Sequence, residues 1–483
     1  MQHSTTRGRR TPAAQVVEHL RAAERFPPGD PRREAAQRRA ARAVSAEPSL
    51  VDDPLLAGAR LQLRRWARFA PFLLDDRSEQ ELAVANRSVV TAQLARLSAL
   101  DDDPATDLSA ADDALRGLDA PGVVERRAAD VDAHRVTDRR AAAVAEVLGA
   151  LATQHLADDD RRGITQWRTR FAVVQGTSPE VLARLRDATR AARGLATTWW
   201  SVRSPLVGAE YCDRRVGLAA PPATLPQHAR DAAAALAVAV PRLAGAARAA
   251  AGRVTPGADN QVVIEADGRL SVTVAHRPTP RGSLMVAHEI GHALHALESR
   301  SPEPPGALVG ETIACWAALM TGLHQESEAL ALALGDTLVE ELFVSAAVSE
   351  FEDTVYELAR DGGISVAALD AAWLSAQRNL WGDTVAVPGH VASGWARLPA
   401  LATQPGHAFS YVWATVLALA ADARHHGDAA GVLANTIVAG GIEADELTAL
   451  LGFEGDDWIH VGLEALGDRL AALAQLLGST TAG

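Results

Sequence analysis

A chain of 483 residues with 48% hydrophobic side chains is long enough to bury a large core, which excludes a short peptide or a small adaptor. Its net charge of −13 argues against nucleic acid as a partner, because affinity for phosphates rests on clustered cations. Two cysteines, Cys212 and Cys315, are too few for a disulfide framework and fit a reducing, cytoplasmic setting.

The first 45 residues form a basic arm, with ten Arg against four acidic residues up to position 43. A flexible arm or loose surface helices are expected there, with a docking segment for an acidic partner as the alternative. MQHSTTRGRRTPAAQ has no apolar run behind its charges, so the middle of a secretory signal is missing. Residues 46–205 read as an N-terminal helical region. LAVANRSVVTAQLARLSAL and RRAAAVAEVLGALATQHLA carry apolar residues at helical spacing and are separated by loops such as DDDPATD. The remaining region, 206–483, begins with a helix over 231–252 that is interrupted near Pro241. QVVIEADGRLSVTVAHRP (261–278) then alternates apolar and polar residues on both sides of Asp267-Gly268, which predicts a β-hairpin as the one strand pair of the chain. Helices resume at 283, with Ser283 as the expected cap. The longest apolar stretch, WATVLALAA (413–421), falls far short of the ~20 residues that span a bilayer, so no membrane is expected as a partner.

MVAHEIGHALHALE (285–298) contains His288, Glu289 and His292. Positions four apart on a helix differ by roughly 40° around the axis, so both imidazoles face one cleft. Glu289, next to the first of them, has the position of a general base acting on water. A catalytic zinc needs a third protein ligand, and Glu311 in GALVGETIACWAALM meets the need: a carboxylate among apolar residues is costly to bury without a cation. One Zn2+ per chain, held by His288, His292 and Glu311, is therefore expected. The plainer alternatives are a helix with unconnected histidines, of which His295 is a third, and a first-turn Glu favoured by the helix dipole. Cys315, one turn beyond Glu311, is read as a packed core thiol before a ligand.

These residues, and several segments beyond them, resemble the oligoendopeptidase F and thimet oligopeptidase family of zinc peptidases. HEIGHALH with LVGETIA looks like the family's two metal-binding helices. FVSAAVSEFEDTVYELARDGGISVAALDAAWLSAQRNLWGD (343–383), WARLPALATQPGHAFSYVWATV (395–416) and GGIEADELTALLGFEGDDWIHVGLEAL are similar to the stretches that follow. The resemblance covers about 210 to 470 well and 60 to 205 only in helical texture. It implies a mainly α fold, a helical bowl with a deep substrate channel and one small β-hairpin beside the zinc-binding helix. It also implies a zinc-dependent oligopeptidase hydrolysing short unfolded peptides. SVTVAH (271–276) would then lie at the cleft edge and pair with an extended substrate.

Family members stabilise the oxyanion with tyrosine and histidine from the segment matching 395–416, and Tyr411 holds the matching place. The chain departs from the family at Leu398-Pro399-Ala400, where a Pro-His pair is usual. His407 is the candidate substitute and His390 the second. Glu352 or Glu350 is the candidate carboxylate behind a metal-bound imidazole. The functional readings are general peptide turnover, processing of one dedicated precursor peptide, and, as the different class, a catalytically weakened zinc-containing peptide-binding protein. Retention of Glu289 argues against the last, since a structural site has no need of a base.

Overall fold

The computed structural model of the protein describes residues 11–25, 31–264, 269–299, 305–324, 327–425, 429–439 and 441–479. The basic arm is, over its described residues, two helices: α1 (Pro12–Glu24), capped by the Thr11 hydroxyl, and α2 (Pro31–Ala46). They pair because Val16, Ala40 and Val44 face inward and join Leu50, Leu56 and Leu63 in a small core of their own. Where a flexible arm or loose surface helices were expected, the described residues form a packed pair of helices, and residues 1–10 and 26–30 lie outside the described residues. The next helix, α3 (Arg60–Phe69), ties this unit to the rest through Arg64–Glu446 (2.7 Å) and Arg68–Glu443 (2.9 Å).

Two long helices follow, α4 (Asp76–Asp102) and α5 (Val123–Arg162). Val144, Leu148, Leu151 and Ala152 recur on one face of α5 and are buried in the main core, whereas its other face carries Arg and Asp. That core is continuous from Leu97 to Leu477, so it runs across position 205, where the helical N-terminal region was expected to end. Helices over Leu225–Ala239 and Ala244–Ala251, broken at Pro241, agree with the interruption read from the sequence.

The sheet has three strands, β1 (Val254–Pro256), β2 (Gln261–Ile264) and β3 (Leu270–Val274), in the order β1-β3-β2. β2 and β3 pair antiparallel, with Val262 opposite Val272, as the alternation predicts. The turn expected at Asp267-Gly268 lies outside the described residues. β1 had no sequence signal: three residues ending at Pro256 are too few to alternate, yet they pair in parallel with β3 from Val254↔Val272 onward. This corrects one expectation. β3, the SVTVAH strand, is the central strand with both edges occupied, so it has no free edge for a substrate.

Beyond the sheet come α6 (Pro280–Glu298), α7 (Ala307–His324), α8 (Glu328–Val339), α9 (Ser345–Arg360), α10 (His407–His425) and α11 (Asp457–Ser479). α6 starts three residues earlier than expected. The Thr279 side chain accepts from the Gly282 N–H, and Pro280 sits at the first helical position, where its missing N–H costs nothing; Ser283 is therefore inside the helix and not its cap. α7 is long and apolar enough to cross a membrane by length and composition, but 78% of that stretch is buried, between α6 and α10 among other elements. A helix apolar on all sides is what the centre of a large core requires.

Gly291 decides how close α6 and α7 come. A Cβ there would lie 2.7 Å from the Ala314 Cα and 2.9 Å from the Ala317 Cβ, so the bare glycine lets the two backbones touch. Gly291→Ala must push α7 away, and Glu311 with it. The expected cost is about 1–3 kcal/mol, read as a lower melting temperature, together with weaker metal binding in a chelator titration. A variant with wild-type values in both would refute this account of the helix contact.

Candidate metal centre

The four-residue spacing on α6 and the close approach of α7 bring three side chains together. His288 Nε2 is 3.2 Å and His292 Nε2 is 3.6 Å from the same oxygen, Glu311 Oε2. His288 and Glu311 are buried and His292 is half-buried. Donors arranged tetrahedrally around one ion at ~2 Å stand ~3.3 Å apart, so the three atoms fit a shared metal. Glu311 Oε2 supplies a second observation: it is buried within ion-pair distance of both rings, yet has no hydrogen bond of good geometry to either. Contact without directed hydrogen bonds suits lone pairs that converge on a cation.

The electrostatics agree. Burial alone would lower the His288 imidazole, but the adjoining Glu311 carboxylate dominates and holds it at about 9. Burial likewise opposes ionisation of Glu311, and the two imidazoles outweigh it, keeping this carboxyl well below the usual range. A metal must displace the proton from His288. Its affinity is therefore expected to rise about tenfold per pH unit from pH 6 up to about 9 and to level off beyond, measured by competition with a chelator. A flat profile would show that no proton is released.

Glu289, beside His288, is buried and points its chemistry at the same cavity. Burial raises its carboxyl, and the two imidazoles only partly counter this, so it is a stronger proton acceptor than an exposed glutamate.

Two other groups stand around His288. Its Nδ1 is 4.0 Å from Glu341 Oε1, on the opposite side of the ring from Glu311, and Glu341 also accepts a hydrogen bond from Thr415 Oγ1 (3.3 Å). The carboxylate nearest His288 Nδ1 is thus Glu341, which the sequence reading missed. It lies on a π-helical turn, Glu340–Val344, between α8 and α9, a local widening that recurs at functional sites. The two residues expected in that role are elsewhere. Glu352 accepts from the Gly406 N–H (2.8 Å), with its carboxyl raised by burial to about 7, and Glu350 pairs with Arg190 and Arg193. Cys315 is also near, with His288 and Glu341, but burial and the neighbouring carboxylates push its thiol well up; it remains a protonated core group.

Tyr411 lines the same cavity of about 280 Å³, together with Glu289, Thr337 and Glu341. Its ring centroid is 6.1 Å from that of His288, and burial and nearby carboxylates raise the phenol, so it stays a donor. His407 is one turn earlier on α10, with its ring 5.4 Å from Tyr411. It opens onto a neighbouring aromatic cavity, with Trp167, Phe171 and Tyr356, and is absent from the lining of the Glu289 cavity. His390 is hydrogen-bonded to Asp130 (2.7 Å) beside His134, which removes it as a donor at this centre.

No protein-family model matches the sequence, and no curated protein matches it by sequence. Solved structures do match it in fold. A provisionally assigned peptidase from Chlamydophila abortus aligns over 92% of this chain and 82% of its own at a TM-score of 0.73 and 16% identity. Pz peptidase A with an inhibitor aligns over 97% of both chains at 0.71 and 13%. Oligoendopeptidase F from Enterococcus faecium aligns over 97% and 98% at 0.59 and 13%. The protein therefore has the oligoendopeptidase F-like fold, mainly α with one small sheet, as the resemblance implied.

Proposed function

We propose that the chain is a zinc-dependent peptidase acting on short unfolded peptides, with the metal held by His288, His292 and Glu311. The observation that carries this reading is the convergence of two imidazole nitrogens on one buried carboxylate oxygen, at 3.2 and 3.6 Å, beside a second, raised carboxyl. The structural neighbours, peptidases by their descriptions, support the same reading.

When bound, zinc supplies Lewis acidity, which acidifies water and polarises a carbonyl oxygen. Glu289 takes a proton from water onto its carboxylate as attack on the scissile carbonyl begins, then returns it to the departing amine nitrogen. The Tyr411 phenol donates to the oxygen on which negative charge develops. His407, in contact with Tyr411, orients that ring and borders the substrate on its far side. Glu341, 4.0 Å from Nδ1, favours the proton on that nitrogen of His288 electrostatically, which leaves Nε2 for the metal. With β3 enclosed, the strand that would meet an extended substrate is β2, because Asn260, just before it, lines the Glu289 cavity.

Digesting a mixed peptide library with the zinc-loaded protein, with products read by mass spectrometry, tests the reading. Cleavage of short peptides that stops on chelation and returns with zinc is expected. A zinc-loaded protein that cuts nothing would favour a peptide-binding protein instead.

A further inference from the structure

The cavity around His288 and Glu289 is not closed. Arg281, Met285 and Glu340 in its wall also line a larger cleft of about 520 Å³. That cleft in turn shares Arg215, Asp336 and Glu340 with a third cavity of about 200 Å³. The three cavities thus adjoin one another through shared side chains, along a path away from Glu289. Arg281 precedes His288 by seven residues on α6, ~10 Å along the axis at 1.5 Å per residue, and an extended peptide covers that in ~3 residues.

Most cations along this path are neutralised. Arg281 pairs with Glu340, Arg203 with Asp336 (2.9 Å) and Arg214 with Asp130 (2.9 Å), and Arg397 lies 3.5 Å from Asp112. Arg215 lines both outer cavities and makes no hydrogen bond or ion pair among the described residues. Burial and the repulsion of Arg214 and Arg277 outweigh the pull of Asp119 and Asp112 and hold its guanidinium down at about 10, so an anion in direct contact would relieve it. Residues lining the third cavity also carry buried polar atoms without partners: Trp200 Nε1, Trp373 Nε1, Gln377 Nε2 and Arg203 Nη1. Every one is an N–H donor and none is an acceptor. A cavity whose two lining carboxylates, Asp336 and Glu340, are already paired with Arg203 and Arg281, and whose lining residues carry several unpartnered N–H donors and one unpaired guanidinium, is suited to a carboxylate, which only accepts.

We propose that this third cavity is a carboxylate subsite centred on Arg215, with Trp200, Trp373 and Gln377 as further donors, which anchors a substrate three or more residues from the bond that is cut. The carboxylate is that of the peptide's C-terminus or of an acidic side chain. The word substrate rests on the peptidase reading; the subsite itself rests on the donors.

Three peptides of one sequence test it: one with a free C-terminus, one with a C-terminal amide, and one amide with an internal Glu toward that end. Wild type should show a KM about 10- to 100-fold lower for at least one acid peptide than for the neutral amide. Arg215→Gln should remove that preference with kcat little changed, and Arg215→Lys should keep part of it. Trp373→Phe, which leaves the guanidinium in place, should weaken it as well and serves if Arg215→Gln does not fold. Preference for the free C-terminus identifies a C-terminal anchor, and preference for the internal Glu a side-chain pocket. Fluorescence anisotropy of the labelled peptides on the full-length, metal-free protein reads the same preference without cleavage. Equal binding of acid and amide by wild type, or a preference that survives in Arg215→Gln, overturns the subsite. An acid preference in binding without any cleavage upholds the subsite and overturns only the peptidase reading.

Discussion

Hydrolysis of short peptides by purified Glu289→Gln protein is expected to fall by about 10²- to 10⁴-fold, with metal content unchanged. The substitution keeps the shape of a buried side chain and removes its ability to hold a proton. Glu289 is not one of the three groups whose atoms converge, so the metal has no reason to leave. A loss of turnover combined with a loss of metal would mean that Glu289 is a ligand, and unchanged cleavage would remove it from the mechanism. Metal analysis on the same preparation as the kinetics separates these outcomes.

Glu311→Ala should abolish both metal and activity, because it deletes the one anionic donor and leaves two imidazoles. It should also weaken the metal-free protein. His288 has a raised value in the folded state, about 9, so its contribution to stability is complete below the ordinary imidazole value of about 6.5 and fades as pH rises through 9. Glu311 has a lowered value, so its contribution is complete above the ordinary carboxylate range and fades as pH falls. These are two views of one interaction, fully present from about pH 5 to 6.5. Removing one partner of such a buried pair costs ~3–5 kcal/mol. Thermal melts of both proteins in chelator, at pH 6 and again at pH 10, should show a large gap at the first and a smaller one at the second. Equal melting temperatures at pH 6 would contradict the pairing of His288 with Glu311.

The two largest effects both fall on residues legible from the chain. His288, Glu289 and His292 are related by helical geometry alone, and Glu311 stood out because a carboxylate inside an apolar helix demands a cation. Glu341 did not stand out. It is 53 residues from His288, and its neighbour Glu340 looks no different in the sequence; only the π-helical turn brings one to the imidazole and the other to Arg281. Glu352 carried the better-looking context, yet α9 turns it to the Gly406 N–H. His390 fell to Asp130 for the same reason, an encounter with α5 that nothing near 390 announces.

The sheet and the remote cavity make the point at larger scale. Alternation over 261–264 and 270–274 revealed two strands and their pairing, since period two is written residue by residue. It did not reveal β1, whose three residues acquire strand geometry only against β3, and with β1 in place the strand that the resemblance put at the cleft edge has no free edge. Arg215 is one of many arginines in the sequence. That it pairs with no acid appears only when the acids around it, Asp112, Asp119, Asp336 and Glu340, are seen to be taken by Arg397, Arg277, Arg203 and Arg281. Helices, the motif and the metal chemistry follow from interactions between residues a few positions apart, which a sequence displays directly. Pairing partners, free edges and unpaired charges depend on contacts between segments far apart in the chain, and those are set by how the core packs.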